Sequence, residues 1–84
     1  MKREIVISPV ATEKSMLITE RENKITFIVD RTANRKMIKE EVERMYSVKV
    51  TSVRTLMTKY GKKAIVTLDP EYSADELSGR IGIF

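Results

Sequence analysis

The period of the apolar residues changes twice between positions 23 and 57, and this change constrains the fold more than any other feature of the sequence. Alternating apolar residues over 23–30 predict a strand with one buried face. Over 37–46 the apolar residues recur at three- and four-residue steps, which predicts an amphipathic helix with Asn34 as its N-cap. From residue 48 the alternation returns with β-branched residues, so a second strand is expected. The centre of the chain is therefore predicted to be a strand–helix–strand unit.

The buried faces of these elements follow from the same patterns. The first strand is expected to bury Ile25, Phe27 and Val29. The apolar stripe of the helix consists of Met37, Ile38, Val42, Met45 and Tyr46. The second strand is expected to separate Val48, Val50 and Ser52 on one face from Lys49, Thr51 and Val53 on the other. The five methionines of the chain are interpreted as residues that fill gaps in the packing.

A shorter strand and a helix precede this unit. Residues 3–7 predict a strand that Pro9 terminates, because proline lacks the backbone N–H that a ladder needs. Thr12 is placed to cap a helix that runs to about Arg21. The expected buried side of that helix consists of Met16 and Leu17.

A hairpin and a last helix follow the unit. Residues 58–62 predict a tight connection in which Gly61 supplies a positive φ, and residues 63–69 predict the returning strand. Ser73 is placed to cap a short helix that ends near Gly79.

The predicted order of elements is β-α-β-α-β-β-α, over one domain that spans residues 1–84. A right-handed crossover through a helix makes the two central strands parallel, and the returning strand of the hairpin fits between them. We therefore predict an α+β fold with helices packed on a mainly antiparallel four-stranded sheet. A chain of this size buries only about 60–65% of the surface that its unfolded form exposes, so modest stability is expected.

Composition argues against catalysis. The chain has no cysteine and no histidine, so it lacks disulfides, the usual zinc ligands and the commonest general base. Its three glycines form no phosphate-binding loop. We expect a protein that is not an enzyme and needs no cofactor. Its apolar runs are too short to span a membrane and its start does not resemble a secretory signal, so a cytoplasmic location is expected.

The positive charge is unevenly distributed. Residues 1–68 carry a net charge of +7 and residues 69–84 a net charge of −3. This distribution is typical of a protein that lies on a polyanion with its acidic end turned away. Five lysines are expected at turns or at the ends of elements, where long cations reach phosphates: Lys14, Lys24, Lys59, Lys62 and Lys63.

Each functional interpretation has a plainer alternative. The lysines are equally consistent with scattered surface charge. Arg54 and Thr55 are expected to end the third strand, where they either contact RNA backbone or face solvent. Charges further along the central helix lie at i,i+4 spacing and pair with one another, so only residues 34–36 are expected to contact RNA. Phe27 is interpreted as a core residue, because base-stacking sheets of the RRM type need two or three exposed aromatics.

Five segments in this order resemble the ribosomal protein L23 family of the large subunit. They are P-x-x-TEKS from Pro9, NKITFIVD from Asn23, the Asn-capped helix with IKEEVE, VKVTSVRT from Val48 and KKAIVTL from Lys62. The closing RIGIF and the short connection before the last strand resemble the archaeal and eukaryotic-type branch. Bacterial members carry a long basic hairpin extension at that connection, which reaches into the exit tunnel. The resemblance therefore does not imply that residues 59–63 line the tunnel.

The resemblance implies binding to large-subunit ribosomal RNA beside the polypeptide exit tunnel, among neighbouring ribosomal proteins. The expected rRNA-binding residues are Pro9, Thr12, Lys14, Ser15, Asn23, Lys24, Asn34, Arg35, Lys36, Arg54, Thr55, Lys59, Lys62 and Lys63. Glu13 matches the glutamate that contacts the chaperone trigger factor in bacterial members. In a branch without that chaperone, the signal recognition particle or a nascent-chain-associated complex is the expected partner at this residue.

A different class of protein shares the same layered architecture. Small α/β regulatory modules bind a metabolite or pair with an enzyme, and fold alone does not separate them from ribosomal proteins. Binding to ribosomal RNA fragments would distinguish the two classes.

Overall fold

The computed structural model describes residues 5–82, and within that range every predicted element is present. The helices are α1 (Glu13–Glu22), α2 (Arg35–Tyr46) and α3 (Ala74–Arg80). The strands are β1 (Val6–Pro9), β2 (Lys24–Val29), β3 (Val50–Thr58) and β4 (Gly61–Leu68). Their order along the chain is the predicted β-α-β-α-β-β-α, and the fold is α+β.

The strands form one sheet in the spatial order β1-β2-β4-β3, and every neighbouring pair is antiparallel. Strand β4 returns from the hairpin and lies between β2 and β3. The strands β2 and β3 are therefore parallel to each other, as the helical connection between them requires. The predicted topology is confirmed.

Strand β1 ends later than predicted, because proline does not stop it. Pro9 lies opposite Phe27, and the next residue, Val10, donates its N–H to the Thr26 carbonyl at 2.9 Å. Since successive N–H groups of a strand point in opposite directions, the Pro9 nitrogen faces away from β2 at the edge of the sheet. Residues 3 and 4 of the predicted strand lie outside the described residues.

Helix α1 buries small hydroxyl residues, and the prediction that it buries Met16 and Leu17 is wrong. These two side chains are 40% and 44% exposed, whereas Ser15 and Thr19 are buried. The Ser15 hydroxyl donates to the Val10 carbonyl at 2.9 Å, and the Thr19 hydroxyl donates to the Ser15 carbonyl at 3.0 Å. Because both hydroxyls donate to backbone oxygens, their burial leaves no polar group unpaired.

Helix α2 begins as predicted and buries part of the predicted stripe. The side-chain oxygen of Asn34 accepts from the Met37 N–H at 2.9 Å, which makes Asn34 the N-cap. Ile38 and Val42 are fully buried. The interpretation of the methionines as packing residues is wrong for all four that the structure describes, since each is at least 38% exposed: Met16, Met37, Met45 and Met57.

A bulge in β3 overturns the predicted alternation of that strand. The register with β4 shifts between Val50 and Ser52, so Thr51 is an extra residue. Val50 and Val53 are consequently both buried, and Ser52 is exposed rather than on the face of Val50.

The hairpin is tighter than predicted. Strand β3 extends to Thr58 and β4 begins at Gly61, so only residues 59–60 connect them. Gly61 has a φ of +124°, the positive value predicted for it. Residues 62–63 therefore lie inside β4 rather than at a turn, and residues 54–55 lie in the middle of β3 rather than at its end.

The core lies between one face of the sheet and the helices α2 and α3. The sheet contributes Ile25, Phe27, Val29, Val50, Val53, Ala64, Val66 and Leu68. The helices contribute Ile38, Val42, Ala74 and Leu77. The Phe27 ring is fully buried and stacks on the ring of Tyr46 at a centroid distance of 5.9 Å. Burial raises the pKa of the Tyr46 hydroxyl, because the ionised form loses hydration.

Asn23 ties the start of β2 to the segment before α3. Its side-chain nitrogen donates to the Tyr72 carbonyl at 2.9 Å, and its side-chain oxygen accepts from the Ala74 N–H at 2.7 Å. Its backbone adopts the left-handed conformation with a φ of 56°. Asparagine tolerates this conformation better than most residues do. The residue therefore has a structural role, whichever other contacts it makes.

We expect Asn23→Ala to lower the free energy of unfolding by about 2–3 kcal/mol, for two reasons. The substitution leaves the Tyr72 carbonyl and the Ala74 N–H without their partner, and it places alanine in the left-handed region, where its Cβ is strained. The measurement is urea denaturation of the free protein. Asn23→Gly is the matched control, since glycine removes the same hydrogen bonds without the left-handed penalty and should be about 1 kcal/mol more stable than the alanine variant. Equal midpoints for the wild type and Asn23→Ala would contradict the structural role.

Candidate nucleic-acid interface

One face of the sheet has neither α2 nor α3 packed over it, and we call it the open face. Strand register places its residues in three rows across β2, β4 and β3. The rows are Lys24–Thr67–Ser52, Thr26–Ile65–Arg54 and Ile28–Lys63–Leu56. The opposite rows, which include Phe27–Ala64–Thr55 and Val29–Lys62–Met57, belong to the core side.

The open face is basic and contains no acidic residue. Its cations are Lys24, Arg54 and Lys63, one from each strand. Arg54 and Lys63 are diagonal neighbours across β3 and β4, a relation that separates residues by roughly 7–8 Å. The Lys24 ammonium lies 3.2 Å from the Glu22 carboxylate, an exposed pair that contributes little stability. Three cations on a single face create a positive potential that favours an anionic partner.

The first turn of α1 extends this face into a groove. The groove encloses about 130 Å³, and Lys14 and Lys63 contribute its cations. Its remaining lining is hydroxyl or apolar, from Val10, Thr12, Ser15, Ile18, Thr26, Leu56 and Ile65. The Thr12 and Ser15 hydroxyls are engaged in the capping box of α1, so this wall of the groove is held in place.

Three of the predicted rRNA-binding residues are therefore brought together: Lys14, Arg54 and Lys63. Lys24 lies two rows from Lys63 on the same face and is paired with Glu22. Thr12 lines the same groove, and Ser15 lines it with a largely buried side chain. Pro9 lies in the edge strand nearby, opposite Phe27.

The structure separates other predicted residues from this face. Thr55 and Lys62 project to the core side, because neighbouring residues of a strand point to opposite faces. The Lys62 ammonium donates to the Ala33 carbonyl at 2.6 Å, at the entrance to α2. Arg35 and Lys36 are exposed in the first turn of that helix. These cations form a second basic region at the start of α2.

The remaining three predicted contacts have distinct positions. Asn34 is the N-cap of α2, where its side-chain oxygen accepts from the Met37 N–H. Asn23 is engaged with the segment before α3, as described above. Lys59 lies at the tip of the hairpin, where its ammonium is 5.1 Å from the centroid of the Tyr60 ring.

Glu13 lies in the first turn of α1, exposed and next to a second groove. That groove encloses about 290 Å³ and is lined by Glu13, Met16, Leu17, Glu20 and Asp75. It combines two exposed apolar side chains with three carboxylates, the opposite charge character to the open face.

Sequence reasoning missed the apolar part of the open face. Leu56 is 41% exposed, and Ile28 and Ile65 are partly buried beside it. The alternation of β2 and β4 indicates which residues share this face, but only the placement of the helices shows that α1 covers Thr26 of β2 and leaves Arg54 and Leu56 of β3 exposed. Tyr60, which is 76% exposed at the hairpin tip, was also not among the predicted contacts.

No helix in residues 5–82 has the length and apolar character that crossing a bilayer requires. In the same range, no three acidic, histidine or cysteine residues are grouped as metal ligands would be.

The fold and the open face define a class of small, basic α+β proteins in which α2 and α3 pack on one side of the sheet and α1 covers only part of the other. A sequence model of the family described as Ribosomal protein L23 matches residues 4–63. The chain is 56% identical over 84 residues to the large ribosomal subunit protein uL23 of Thermoplasma acidophilum, covering all of both chains. It is 54% identical over 79 residues to the protein of the same name from Picrophilus torridus, covering 94% of this chain and 96% of the relative. The chain therefore belongs to the ribosomal protein L23 family.

Family membership confirms the resemblance stated from the sequence, including its archaeal character, since both relatives are archaeal. A member of this family is a component of a cytoplasmic ribonucleoprotein particle, with ribosomal RNA and ribosomal proteins as its partners. The family is one of structural proteins of the ribosome. The family thus favours the ribosomal interpretation over the regulatory module that the fold alone left open.

Proposed function

We propose that the chain is a structural constituent of the large ribosomal subunit and binds large-subunit ribosomal RNA beside the polypeptide exit tunnel. The observation that carries this proposal is the pair of diagonal neighbours Arg54 and Lys63 on the open face, with Lys14 beside Lys63 in the adjoining groove. The printed name of the two relatives, large ribosomal subunit protein, supports the assignment to that subunit.

Recognition on this face is by charge and shape. Long cationic side chains neutralise phosphates and release condensed counterions, which is the main source of affinity for a nucleic acid backbone. The hydroxyls of Ser52 and Thr67 lie in the same rows and supply hydrogen bonds to phosphate or ribose oxygens. The partly exposed Leu56 and Ile65 exclude water between these contacts. Such a surface holds folded RNA without reading its sequence.

The other proposed contacts divide into two groups. Arg35, Lys36 and Lys62 are proposed to meet a second RNA segment at the start of α2, and Lys59 to meet RNA at the hairpin tip. The other proposed contacts are uncharged, and they are proposed to contribute mainly by the position that they give to the backbone near the RNA: Pro9, Thr12, Ser15, Asn23, Asn34 and Thr55. Four of them hydrogen-bond to backbone groups of the fold: Thr12, Ser15, Asn23 and Asn34.

The deciding experiment is filter binding of the free protein to a transcript of the large-subunit RNA over a range of salt concentrations. We expect a linear fall of log K with log salt, with a slope of about 0.7–0.9 for each phosphate contacted. Binding that is undetectable, or that does not change with salt, would contradict the proposed function.

We further propose that the groove at Glu13 is a docking site for the signal recognition particle or a nascent-chain-associated complex. Exposed Met16 and Leu17 offer apolar contact, and Glu13, Glu20 and Asp75 surround them with negative charge. The groove lies away from the cations of the open face, so RNA and a protein factor can be bound at the same time.

The test of this docking site is Glu13→Ala in otherwise intact ribosomes. We expect factor binding to weaken about fivefold, corresponding to about 1 kcal/mol for one exposed charge pair, while the fold is retained. Glu40→Ala on α2 is the matched control, because it removes an equally exposed acid far from the groove. Unchanged factor affinity for ribosomes that carry Glu13→Ala would eliminate the docking proposal.

A further inference from the structure

A shallow notch lies at one end of the sheet, between the β3–β4 turn and the turn that joins β2 to α2. It encloses about 690 Å³ and is lined by Ile28, Val29, Asp30, Arg31, Thr32, Tyr60 and Gly61. We infer that this notch binds one unstacked nucleotide of RNA, with the base stacked on Tyr60 and a phosphate beside Arg31. The inference rests on the proposed function and adds a base-stacking contact to a surface otherwise built for phosphates.

The Tyr60 ring is displayed rather than packed. The residue is 76% exposed, the largest exposure among the large hydrophobic residues of the described chain. The Lys59 ammonium lies 5.1 Å from the ring centroid, so a cation already accompanies the aromatic surface. An exposed aromatic with an adjacent cation is the combination that single-stranded RNA sites use, because every base has a face that can stack.

The turn that carries Tyr60 is rigid. The Thr58 hydroxyl donates to the Gly61 carbonyl at 2.8 Å and accepts from the Tyr60 N–H at 3.2 Å. Gly61 has a φ of +124°, which a residue with a side chain would not adopt without strain. The backbone of the turn is therefore held in one conformation, and less backbone entropy is lost when a base stacks on the ring.

The opposite wall of the notch carries charge for a phosphate. Arg31 is exposed there, in the turn before α2. The acid in the same turn is Asp30, whose carboxylate accepts from the Thr32 N–H at 2.8 Å and from the Thr32 hydroxyl. The carboxylate is thus directed into its own turn, while Arg31 and Lys59 supply two cations around the notch.

The notch is continuous with the open face. Ile28 belongs to both, and a Cβ built at Gly61 would lie 4.0 Å from the Ile28 side chain. RNA that lies across Lys63 and Arg54 therefore extends to Tyr60 at the end of the same sheet. A single aromatic at a turn accommodates one base, in contrast to sheets that stack two or three bases on adjacent strands.

The direct test uses the absence of tryptophan from the chain. Tyr60→Trp introduces the one tryptophan, at the proposed stacking position, and its fluorescence is recorded while large-subunit RNA is added. We expect strong quenching on binding, because the indole stacks on a base. Met45→Trp is the matched control, since Met45 is 44% exposed in the last turn of α2, away from every residue proposed to contact RNA. Its emission should change little.

Measurements of RNA affinity and of its salt dependence distinguish the stacking contact at Tyr60 from the phosphate contact at Arg31. Tyr60→Leu is expected to weaken RNA binding about 5- to 150-fold, the range for loss of one stacked base, without changing the salt slope. Tyr60→Phe should bind as the wild type does. Arg31→Gln should instead reduce the slope by about 0.7–0.9, because it removes a phosphate contact.

Failure of this inference differs from failure of the proposed function. If the wild type does not bind the RNA, the proposed function is wrong. If the wild type binds, but Tyr60→Leu has wild-type affinity and Tyr60→Trp shows no quenching, the nucleotide site is overturned.

Discussion

Replacing Arg54 and Lys63 together with glutamine is expected to weaken binding of large-subunit RNA about 15- to 30-fold at 0.15 M salt. The two cations are diagonal neighbours at the centre of the open face, so one RNA segment contacts both. Each phosphate contact accounts for about 0.7–0.9 of the salt slope, and loss of two should reduce the slope by about 1.4–1.8. Filter binding at several salt concentrations measures both quantities. Glutamine keeps the side chain long and polar, so the sheet should remain folded.

The matched control is the double variant Lys39→Gln with Lys49→Gln. Both lysines are exposed and neither belongs to the open face, while the change in net charge is the same. We expect it to weaken binding only a fewfold, through the general field of the protein. If the two double variants lose affinity equally, RNA binding depends on total charge and the open face is not the binding site.

Local features of the chain were predictable because they depend on neighbouring residues. The caps at Thr12, Asn34 and Ser73 were all predicted from side chains that accept from the first turn of a helix, and each is confirmed. The positive φ of Gly61 follows in the same way from the demands of a tight hairpin. The strand order followed from the handedness of one crossover, which leaves few alternatives for a chain this short.

Features that depend on tertiary packing were not predictable. Hydrophobicity placed Met16 and Leu17 in the core, but α1 lies against β2 on its hydroxyl side, with Ser15 and Thr19 buried. The bulge at Thr51 has no signature in the sequence, yet it moves Val53 into the core. The packing of α1 on the sheet determines the first result and the pairing of β3 with β4 determines the second, and the sequence alone specifies neither.

The candidate site was only partly predictable, because it too depends on tertiary packing. Lys14, Arg35, Lys36, Arg54 and Lys59 are exposed, whereas Lys24, Lys62 and Lys63 are half-buried. Lys62 and Lys63 were treated as equivalent residues of a turn. In a strand they point to opposite faces, and only Lys63 reaches the open face. Because side chains alternate between the two faces of a strand, Lys62 and Lys63 can be assigned to opposite faces once the strand is known to begin at Gly61. Which of the two faces is free to bind RNA depends on where the helices α2 and α3 pack.

Replacing Phe27 with alanine is expected to lower the free energy of unfolding by about 3–5 kcal/mol. Phe27 is fully buried at the centre of the sheet, and its removal leaves a cavity and removes the stacking contact with Tyr46. At about 0.05–0.15 kcal/mol per residue, a domain of this size has little stability beyond that amount. Urea denaturation should show a much lower midpoint for the variant, with the slope of the transition unchanged if unfolding remains two-state.

Two controls separate loss of packing from loss of an aromatic ring in general. Phe27→Leu retains most of the buried volume and should cost less than about 1.5 kcal/mol. Tyr60→Ala removes an exposed ring and should change stability by no more than about 0.5 kcal/mol. A Phe27→Ala midpoint close to that of Tyr60→Ala would show that the packing around Phe27 relaxes to fill the cavity.

RNA should restore much of the stability that Phe27→Ala loses, because a ligand that binds only the folded state adds RT ln(1 + [L]/Kd). This amounts to about 2.7 kcal/mol at a hundredfold excess over Kd. Phe27 faces α2, while Arg54 and Lys63 face the other side of the sheet, so the substitution should leave Kd unchanged. The increment from RNA should then be equal in the wild type and the variant. A smaller increment in the variant would show that the RNA-binding face depends on the packing beneath it, and that the two sides of the sheet are energetically coupled.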